Sequence, residues 1–299
     1  MNAFKNAFKV IAAKFGFLWT HIVYYSLVLL IMISISLTVL IPYINSKTVE
    51  EINVAQSLSA IGQSLIDKDG FSEFIRLSRD FVSELGSVFS GGNWFQTISL
   101  LFLLSLVTRF VLGLADIAFF HCVDMHLSSA AKKSFRASFV KNLSKSAKYQ
   151  LCKMLFALPA DAAIVAVIYA VSLTFGRPLF LFFAPFFMVL AFVILYSLRL
   201  TLLSGWAPEI LHSENKKIFP ALFKSFKLCH KNFARNYGTM FLYVLVAIAI
   251  NIFFGLFTLG VGLFVTIPFT FYLLTVLSST LYYDNNNLRY YIDKNTIIN

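Results

Sequence analysis

Six long apolar stretches alternate with polar segments along this chain of 299 residues. A bilayer core of about 30 Å requires about 20 apolar residues as a helix, and lipid forces every backbone polar group to bond within its own segment. The pattern therefore predicts an all-α, polytopic membrane protein that forms a single membrane domain over 1–299. The predicted spans are 17–42, 94–120, 154–175, 178–200, 238–259 and 260–282.

Composition supports this fold class. Hydrophobic residues make up 59% of the chain and charged residues 13%, with a mean hydropathy of +0.77, and an ordinary soluble domain does not have this composition. The first apolar run, 17–41, is far longer than the 7–15 residues of a signal-peptide core, and no A-x-A-like cleavage site follows it. We therefore expect a permanent helix there.

The distribution of basic residues predicts the orientation. Sixteen Lys and Arg residues fall in the N-terminal segment and in the second and fourth gaps, against five on the other side. Because basic residues in short loops mark the cytoplasmic side, both termini are expected in the cytoplasm and the 43–93 loop outside. Cys122, Cys152 and Cys229 all lie on or near the cytoplasmic flanks, and none lies in the outer loop, where disulfides would be favoured.

The three basic segments resemble one another. In each, two phenylalanines separated by two or three residues are followed by lysine and then by a pair of spans. Apolar residues at helical spacing with Lys on the remaining face are typical of a helix lying in the membrane interface. We therefore predict three successive units, each an interfacial helix and a transmembrane hairpin, related by rotation about the membrane normal. The phenylalanine pairs are Phe4/Phe8, Phe135/Phe139 and Phe223/Phe226.

A net charge of +11 indicates an anionic partner. Basic residues beside a span are attracted to anionic headgroups by about 1 kcal/mol each near the surface. Nucleic acid is disfavoured because the bases are divided among three juxtamembrane segments without a nucleic-acid motif. We therefore expect membrane lipids as partners. The candidate headgroup contacts are Lys9, Lys14, Lys141, Lys145, Lys148, Lys227 and Lys231.

The connection before the fifth span carries a family resemblance. WAPEIL at 206–211, the lysines of 216–217, ALFKSFKL at 221–228 and KNFARNYG at 231–238 resemble the connection between hairpins in bacterial six-span proteins similar to the glycerophosphodiester phosphodiesterase membrane-anchor domain. The resemblance implies this architecture and a bacterial plasma (inner) membrane. Named members join the membrane region to a separate hydrolase domain, and nothing in this sequence is large enough to hold that barrel, so no catalytic residue is carried over.

The 43–93 loop is longer than six spans require. Phe71, Phe74, Phe81, Leu85 and Phe89 keep helical spacing, with charged residues between them, and a weaker pattern covers 57–66. We expect one or two amphipathic helices over the outer surface. They serve either as a docking face for a partner protein or as a cap that packs on the bundle.

Charged residues within the spans require partners, because an isolated charge in lipid is costly. Two bases and two acids fall in the inner half of the predicted bundle, and they could neutralise one another. Two interpretations remain: interhelical clasps, or a polar route for protons, ions or a lipid headgroup. This candidate cluster consists of Arg109, Asp116, Asp161 and Arg199, and Asn251 fits either interpretation.

Other chemistry is sparse. His121, Cys122, Asp124 and His126 are the only clustered ligand-type side chains, but they project along neighbouring faces of one helix, so no metal site is predicted. No nucleophile elbow, zinc motif, P-loop or Rossmann fingerprint occurs, and no cofactor is predicted. The glycines of 255–262 and Pro268 predict a tight turn between the last two spans.

These observations predict a non-enzymatic integral membrane scaffold or accessory subunit that binds lipid and a partner protein. The alternative is a small transporter or lipid-translocation component that uses the charged cluster of the inner leaflet.

Overall fold

The computed structural model describes residues 2–13, 15–45, 54–64, 73, 76–77, 79–80, 94–129, 134–175, 183–213, 217–293 and 296–298. Helices form almost all of these segments, and six helical stretches are long and apolar enough to cross a membrane. The predicted fold class, an α-helical polytopic membrane protein with six spans, is confirmed.

The helices follow the chain in this order: α1 Asn2–Ala13, α2 Phe15–Asn45, α3 Val54–Ser64, α4 Trp94–Gly113, α5 Asp116–Ser129, α6 Phe135–Phe175, α7 Ala184–Leu203, α8 Trp206–His212, α9 Ile218–Lys231, α10 Phe233–Phe257 and α11 Leu263–Asn285. Two short antiparallel strands follow, β1 Tyr290–Asp293 and β2 Thr296–Ile298. This hairpin was not predicted, although aromatic and β-branched residues favour strands.

The second basic segment differs from the prediction. It is not a separate interfacial helix but the first part of α6, which runs without interruption for 41 residues. At 1.5 Å per residue α6 is about 60 Å long, roughly twice the hydrocarbon thickness. The reason is local: no Gly or Pro occurs between Phe135 and Leu158 to end the helix. The first and third basic segments do form separate helices, α1 and α9.

Two of the predicted spans are broken near a glycine. The second span divides into α4 and α5 after Gly113, and the fourth divides into α7 and α8 at Gly205. Each glycine faces a side chain of a basic helix. A Cβ on Gly113 would overlap the side-chain amide of Gln150 in α6. A Cβ on Gly205 would lie 2.6 Å from Ser225 Oγ in α9. Glycine therefore permits the close approach of two helices at each break.

The chain divides into two compact units, and the single membrane domain expected over 1–299 stays a prediction. The larger unit comprises Met1–Ser26 and Leu112–Asn299, and the smaller comprises Leu27–Val111. Within the smaller unit the hydroxyls of Tyr43 and Thr97 lie 3.1 Å apart, which joins α2 to α4. Of the 43–93 loop, α3 is described, and Arg76 forms ion pairs with Glu73 and Asp80.

Three helix ends form the centre of the larger unit. Helices α5, α8 and α11 each contact the other two. A basic helix packs against each of them from outside: α6 against α5, α9 against α8, and α1 against α11. Each of the three predicted basic segments thus packs against one of the three central helices. For α1 this partner is the last span, α11. We call the region around these three helix ends the basic end.

The turn between α10 and α11 agrees with its prediction. Gly260 has φ +89° and Leu259 φ +51°, and the Gly260 N–H donates to the carbonyl of Gly255 at 2.7 Å. A residue with a Cβ is strained at φ +89°. Across this hairpin Thr266 Oγ1 donates to Asn251 Oδ1 at 2.8 Å, so Asn251 joins two spans.

Candidate functional site

The predicted charged cluster is organised as ion pairs between neighbouring helices. Asp116, in the first turn of α5, lies 2.7 Å from Lys153 Nζ of α6 and accepts a hydrogen bond from the Tyr25 hydroxyl at 3.3 Å. Both members of the Asp116–Lys153 pair are largely buried. The predicted cluster of Arg109, Asp116, Asp161 and Arg199 did not include Lys153, which lies in the second basic segment of the sequence.

The second pair joins α6 to α7. Arg199 Nε lies 2.6 Å from Asp161 Oδ1, and its Nη2 donates to Oδ2 at 3.3 Å. The Arg199 side chain is 8% exposed and that of Asp161 31%. The guanidinium carbon lies 5.3 Å from the centre of the Tyr196 ring, close enough for a cation–π contact.

The two pairs share an electrostatic environment. Arg199 interacts electrostatically with Lys153 and with Tyr149, whose ring lies 5.3 Å from Lys153 Nζ. Helix α6 thus carries an acid paired with α7 and a base paired with α5. Arg109 lies in the smaller unit, so the four residues predicted as one cluster divide between the two units.

A second group of polar side chains occupies the centre of the basic end. The carboxylate of Asp124 in α5 lies 2.7 Å from His212 Nε2 in α8 and accepts a hydrogen bond from the Tyr283 hydroxyl at 2.6 Å. The imidazole of His212 stacks on the Tyr282 ring, with 5.2 Å between centres. We call this group the central cluster; its members are Asp124, Glu209, His212, Lys224, Tyr282 and Tyr283.

Glu209 is the most deeply buried acid in this group. Its side chain is fully buried, and the Tyr282 hydroxyl donates to Oε2 at 2.9 Å. Lys224 of α9 lies 2.7 Å from Oε1, although the Lys224 side chain is itself 60% exposed. Because a buried carboxylate without a partner is costly, Lys224 and Tyr282 together account for an acid at this position.

The remaining contacts of α8 explain the WAPEIL segment. Trp206 is fully buried, and its indole N–H donates to the carbonyl of Ile218 at 2.8 Å. Lys145 of α6 donates to the carbonyl of Ile210 at 3.3 Å. Since the last carbonyls of a helix lack partners within it, a lysine is favourable there.

Helix α1 has three faces. A buried face packs on α11, a phenylalanine flank contains Phe4 and the exposed Phe8, and a flank with Lys5 and Lys9 is exposed. Because successive residues turn about 100°, the three faces follow one another in a fixed rotational order. The buried face consists of Ala3, Asn6, Ala7, Val10 and Ile11.

Helix α9 repeats this arrangement in the same rotational order. Phe219 and Phe223 form an apolar flank, and Phe223 is 68% exposed. Lys227 and Lys231 are exposed on the opposite flank. The buried face against the unit consists of Ala221, Leu222, Ser225 and Cys229. The structural equivalents of Phe4 and Phe8 are therefore Phe219 and Phe223, whereas the sequence pattern had matched them with Phe223 and Phe226.

The first part of α6 has the same three faces with aliphatic residues in place of phenylalanine. Val140, Leu143 and Leu151 are exposed on one flank, and Val140 is 76% exposed. Lys141 and Lys148 are exposed on the other. The predicted motif residues Phe135 and Phe139 instead pack towards Tyr24 and Phe119. They therefore belong to the core of the larger unit.

The predicted headgroup contacts thus have different surroundings. Lys9, Lys141, Lys148, Lys227 and Lys231 are exposed, Lys145 is half-buried and bound to Ile210, and Lys14 lies outside the described residues. Exposed lysine beside exposed apolar side chains is typical of a helix at a membrane surface.

The side chains of His121, Asp124 and His126 in α5 do not point to a common site. The Nδ1 atom of His121 lies 3.0 Å from Ser138 Oγ, the His126 ring packs edge-on against Phe17, and Asp124 points to His212. Among the residues that the structure describes, no three His, Cys, Asp or Glu side chains are placed to hold a metal ion.

One buried histidine has an apolar environment. His21 is fully buried between the rings of Tyr25, Phe119 and Tyr272, with ring centres 4.6, 4.0 and 5.2 Å away. Within the described part of the chain, neither of its nitrogens has a hydrogen-bond partner. An unsatisfied polar group of this kind lowers stability.

The central cluster was missed because its members are distant in sequence. Asp124 appeared only as a weak ligand candidate, and Glu209 only within the family resemblance. One signal was available: an acid at 209 within a basic juxtamembrane region, beside Trp and Pro, requires a buried partner if it packs inward.

Comparison of this chain with protein-family models, with curated proteins and with solved structures finds no match in any of the three. The resemblance to the glycerophosphodiester phosphodiesterase membrane-anchor domain therefore stays a prediction.

Proposed function

We propose that this protein is a membrane-embedded scaffold without enzymatic activity, which holds anionic lipid along its three basic helices and binds a partner protein. The observation that carries the proposal is the common arrangement of α1, α9 and the first part of α6: a buried face, an exposed apolar flank and an exposed lysine flank in one rotational order. An apolar flank suits the acyl region of a leaflet, and a lysine flank suits its headgroups.

The ion pairs within the spans favour this role over transport. Each pair joins two neighbouring helices, α5 to α6 and α6 to α7, which is the arrangement expected of interhelical clasps. A small transporter or lipid-translocation component remains the alternative, and it requires that these charges move a solute. The partner protein is assigned to the outer loop 43–93, where Glu73, Arg76 and Asp80 form an exposed charged surface.

Lipid retention tests the scaffold. Replacing Lys141, Lys148, Lys227 and Lys231 with Gln should reduce the excess of phosphatidylglycerol over phosphatidylcholine that native mass spectrometry finds on protein released from mixed nanodiscs. We expect a several-fold loss, since each lysine near the surface contributes up to about 1 kcal/mol.

The control removes charge elsewhere. Arg79→Gln and Arg289→Gln remove exposed bases outside the three lysine flanks and should leave lipid retention unchanged. Equal retention in the four-lysine variant and the wild type would refute the lipid role, while transport of lipid between leaflets by purified wild-type protein would favour the alternative.

The proposed setting is a bacterial inner membrane with the basic end in the cytoplasm. Gln63 and Ser144 are exposed, so a single cysteine at each position reports accessibility from one side. We expect an impermeant maleimide to label Gln63→Cys in intact cells, and Ser144→Cys only after permeabilisation. The reverse result would invert the orientation.

A further inference from the structure

We propose that His212 is a proton-operated latch, which closes α5, α8 and α11 against one another when it is protonated. The inference goes beyond lipid and partner binding, and it rests on the geometry of the central cluster alone.

The contact between His212 and Asp124 depends on the charge of the imidazole. Their atoms Nε2 and Oδ1 lie 2.7 Å apart, so the two side chains form an ion pair only while the imidazole carries its proton. Histidine is the one side chain whose ordinary titration falls between pH 5 and 8. The strength of this α5–α8 contact therefore depends on pH near neutrality.

The net charge of the central cluster also depends on His212. With His212 neutral, Asp124 and Glu209 contribute two negative charges against the single positive charge of Lys224. Protonation of His212 brings the summed charge of these four groups to zero. Because three of them are half or more buried, solvent screens the imbalance less than it would at an exposed site.

The groups around His212 come from every helix packed against α8. Asp124 faces it from α5, Lys224 from α9, and Tyr282 and Tyr283 from α11. Lys145 of α6 donates to the carbonyl of Ile210, two residues before His212. The positive charge of Lys145 opposes protonation of His212. The nearby Asp284 is paired with Arg235 at 2.6 Å, so that pair adds no net charge.

The same side chain joins all three central helices. His212 belongs to α8, pairs with α5 through Asp124, and stacks on α11 through Tyr282. Tyr283 of α11 donates to the same Asp124 oxygen. Loss of the proton therefore removes the charge of a side chain that contacts both neighbouring helices.

The ion pair stabilises the centre on the acid side of the His212 titration, and this stabilisation is lost as pH rises through it. Alkaline conditions at the basic end should loosen α8, and acid conditions should close it.

The experiment measures thermal stability of the purified protein in nanodiscs between pH 6.0 and 8.5. His212→Gln removes the charge but keeps a polar side chain, and Asp124→Asn removes its partner. We expect the wild type to lose about 2–4 °C more than either variant as pH rises across this range. His230→Gln is the matched control, because His230 is exposed on α9 outside the cluster, and it should keep the wild-type slope.

A second measurement requires no variant. Backbone hydrogen–deuterium exchange over 206–212 in the wild type, corrected for the intrinsic effect of pH, should accelerate several-fold between pH 6.0 and 8.5. An unchanged slope in His212→Gln, or exchange over 206–212 that is independent of pH, would overturn the latch. Lipid retention is expected to stay constant in His212→Gln, so the latch and the lipid role fail separately.

Discussion

Neutralising one member of the Arg199–Asp161 pair should destabilise the protein, because its partner would remain charged between α6 and α7. Asp161→Asn removes one charge and keeps the shape of the side chain. The contact that is lost is the 2.6 Å approach of Arg199 Nε to Asp161 Oδ1.

Two reference values bound the magnitude. Breaking a fully buried ion pair costs about 3–5 kcal/mol, whereas polar contacts between membrane helices average about 0.6 kcal/mol. Arg199 is 8% exposed, but Asp161 is 31% exposed and stays partly solvated. We therefore expect a loss of roughly 1–3 kcal/mol in the free energy of unfolding for Asp161→Asn.

A double-mutant cycle isolates the pair. Asp161→Asn combined with Arg199→Gln should recover about 1 kcal/mol of the summed single losses, since no buried charge is then left alone. Steric trapping in bicelles measures reversible unfolding and gives the free energy of unfolding of the wild type, the two single variants and the double variant. The control cycle combines Asp161→Asn with Lys141→Gln, an exposed lysine about 30 Å away along α6, and should show a coupling of less than about 0.5 kcal/mol.

Two results would refute this reasoning. Additive losses in the Arg199–Asp161 cycle would show that the two residues do not act as a clasp. Wild-type stability in both single variants, together with loss of a transport activity, would assign these charges to a pathway instead.

Three further outcomes follow from other parts of the larger unit. His21→Phe should raise the free energy of unfolding by about 1–3 kcal/mol, because it removes an unsatisfied buried imidazole from an aromatic site; a loss of stability in the same assay would mean that the imidazole has a favourable role. Gly113→Ala should lower the free energy of unfolding by about 1–3 kcal/mol, because the added Cβ overlaps Gln150. The control Gly238→Ala, whose Cβ would meet nothing within 4 Å, should be neutral or slightly stabilising. Equal effects of the two substitutions would contradict a close approach of helices at Gly113. Burial raises the pKa of the Cys229 thiol, so maleimide should modify it at pH 7 far more slowly than an exposed cysteine; rapid modification would show that α9 opens readily.

The sequence predicts the elements better than their ends. Hydropathy over about 20 residues locates all six spans, because lipid requires a long apolar helix and permits few alternatives. It does not locate the breaks at Gly113 and Gly205, since those depend on the helix that packs above each glycine. The continuity of α6 also escaped prediction, because the hydropathy changes between its basic and apolar segments although the helix does not end there.

The candidate site was predicted only in part. A charge inside a span calls for a partner, and this argument singled out Asp116, Asp161 and Arg199, each of which lies in an ion pair in the structure. It could not choose the partners, because Lys153 and Arg109 have similar chemistry and only tertiary packing separates them. The lysine flanks were predictable from helical spacing, but their common rotational order depends on which face of each helix is buried.

The contact between α1 and α11 has a consequence for biosynthesis. Helix α1 leaves the ribosome roughly 250 residues before α11 begins, and at 5–20 residues per second this interval is on the order of tens of seconds. During that time Ala3, Ala7 and Val10 lack the surface that later buries them. The nascent chain therefore carries an unassembled amphipathic helix during synthesis, and its apolar face is free to lie on a leaflet or on the insertion machinery until the last span is made.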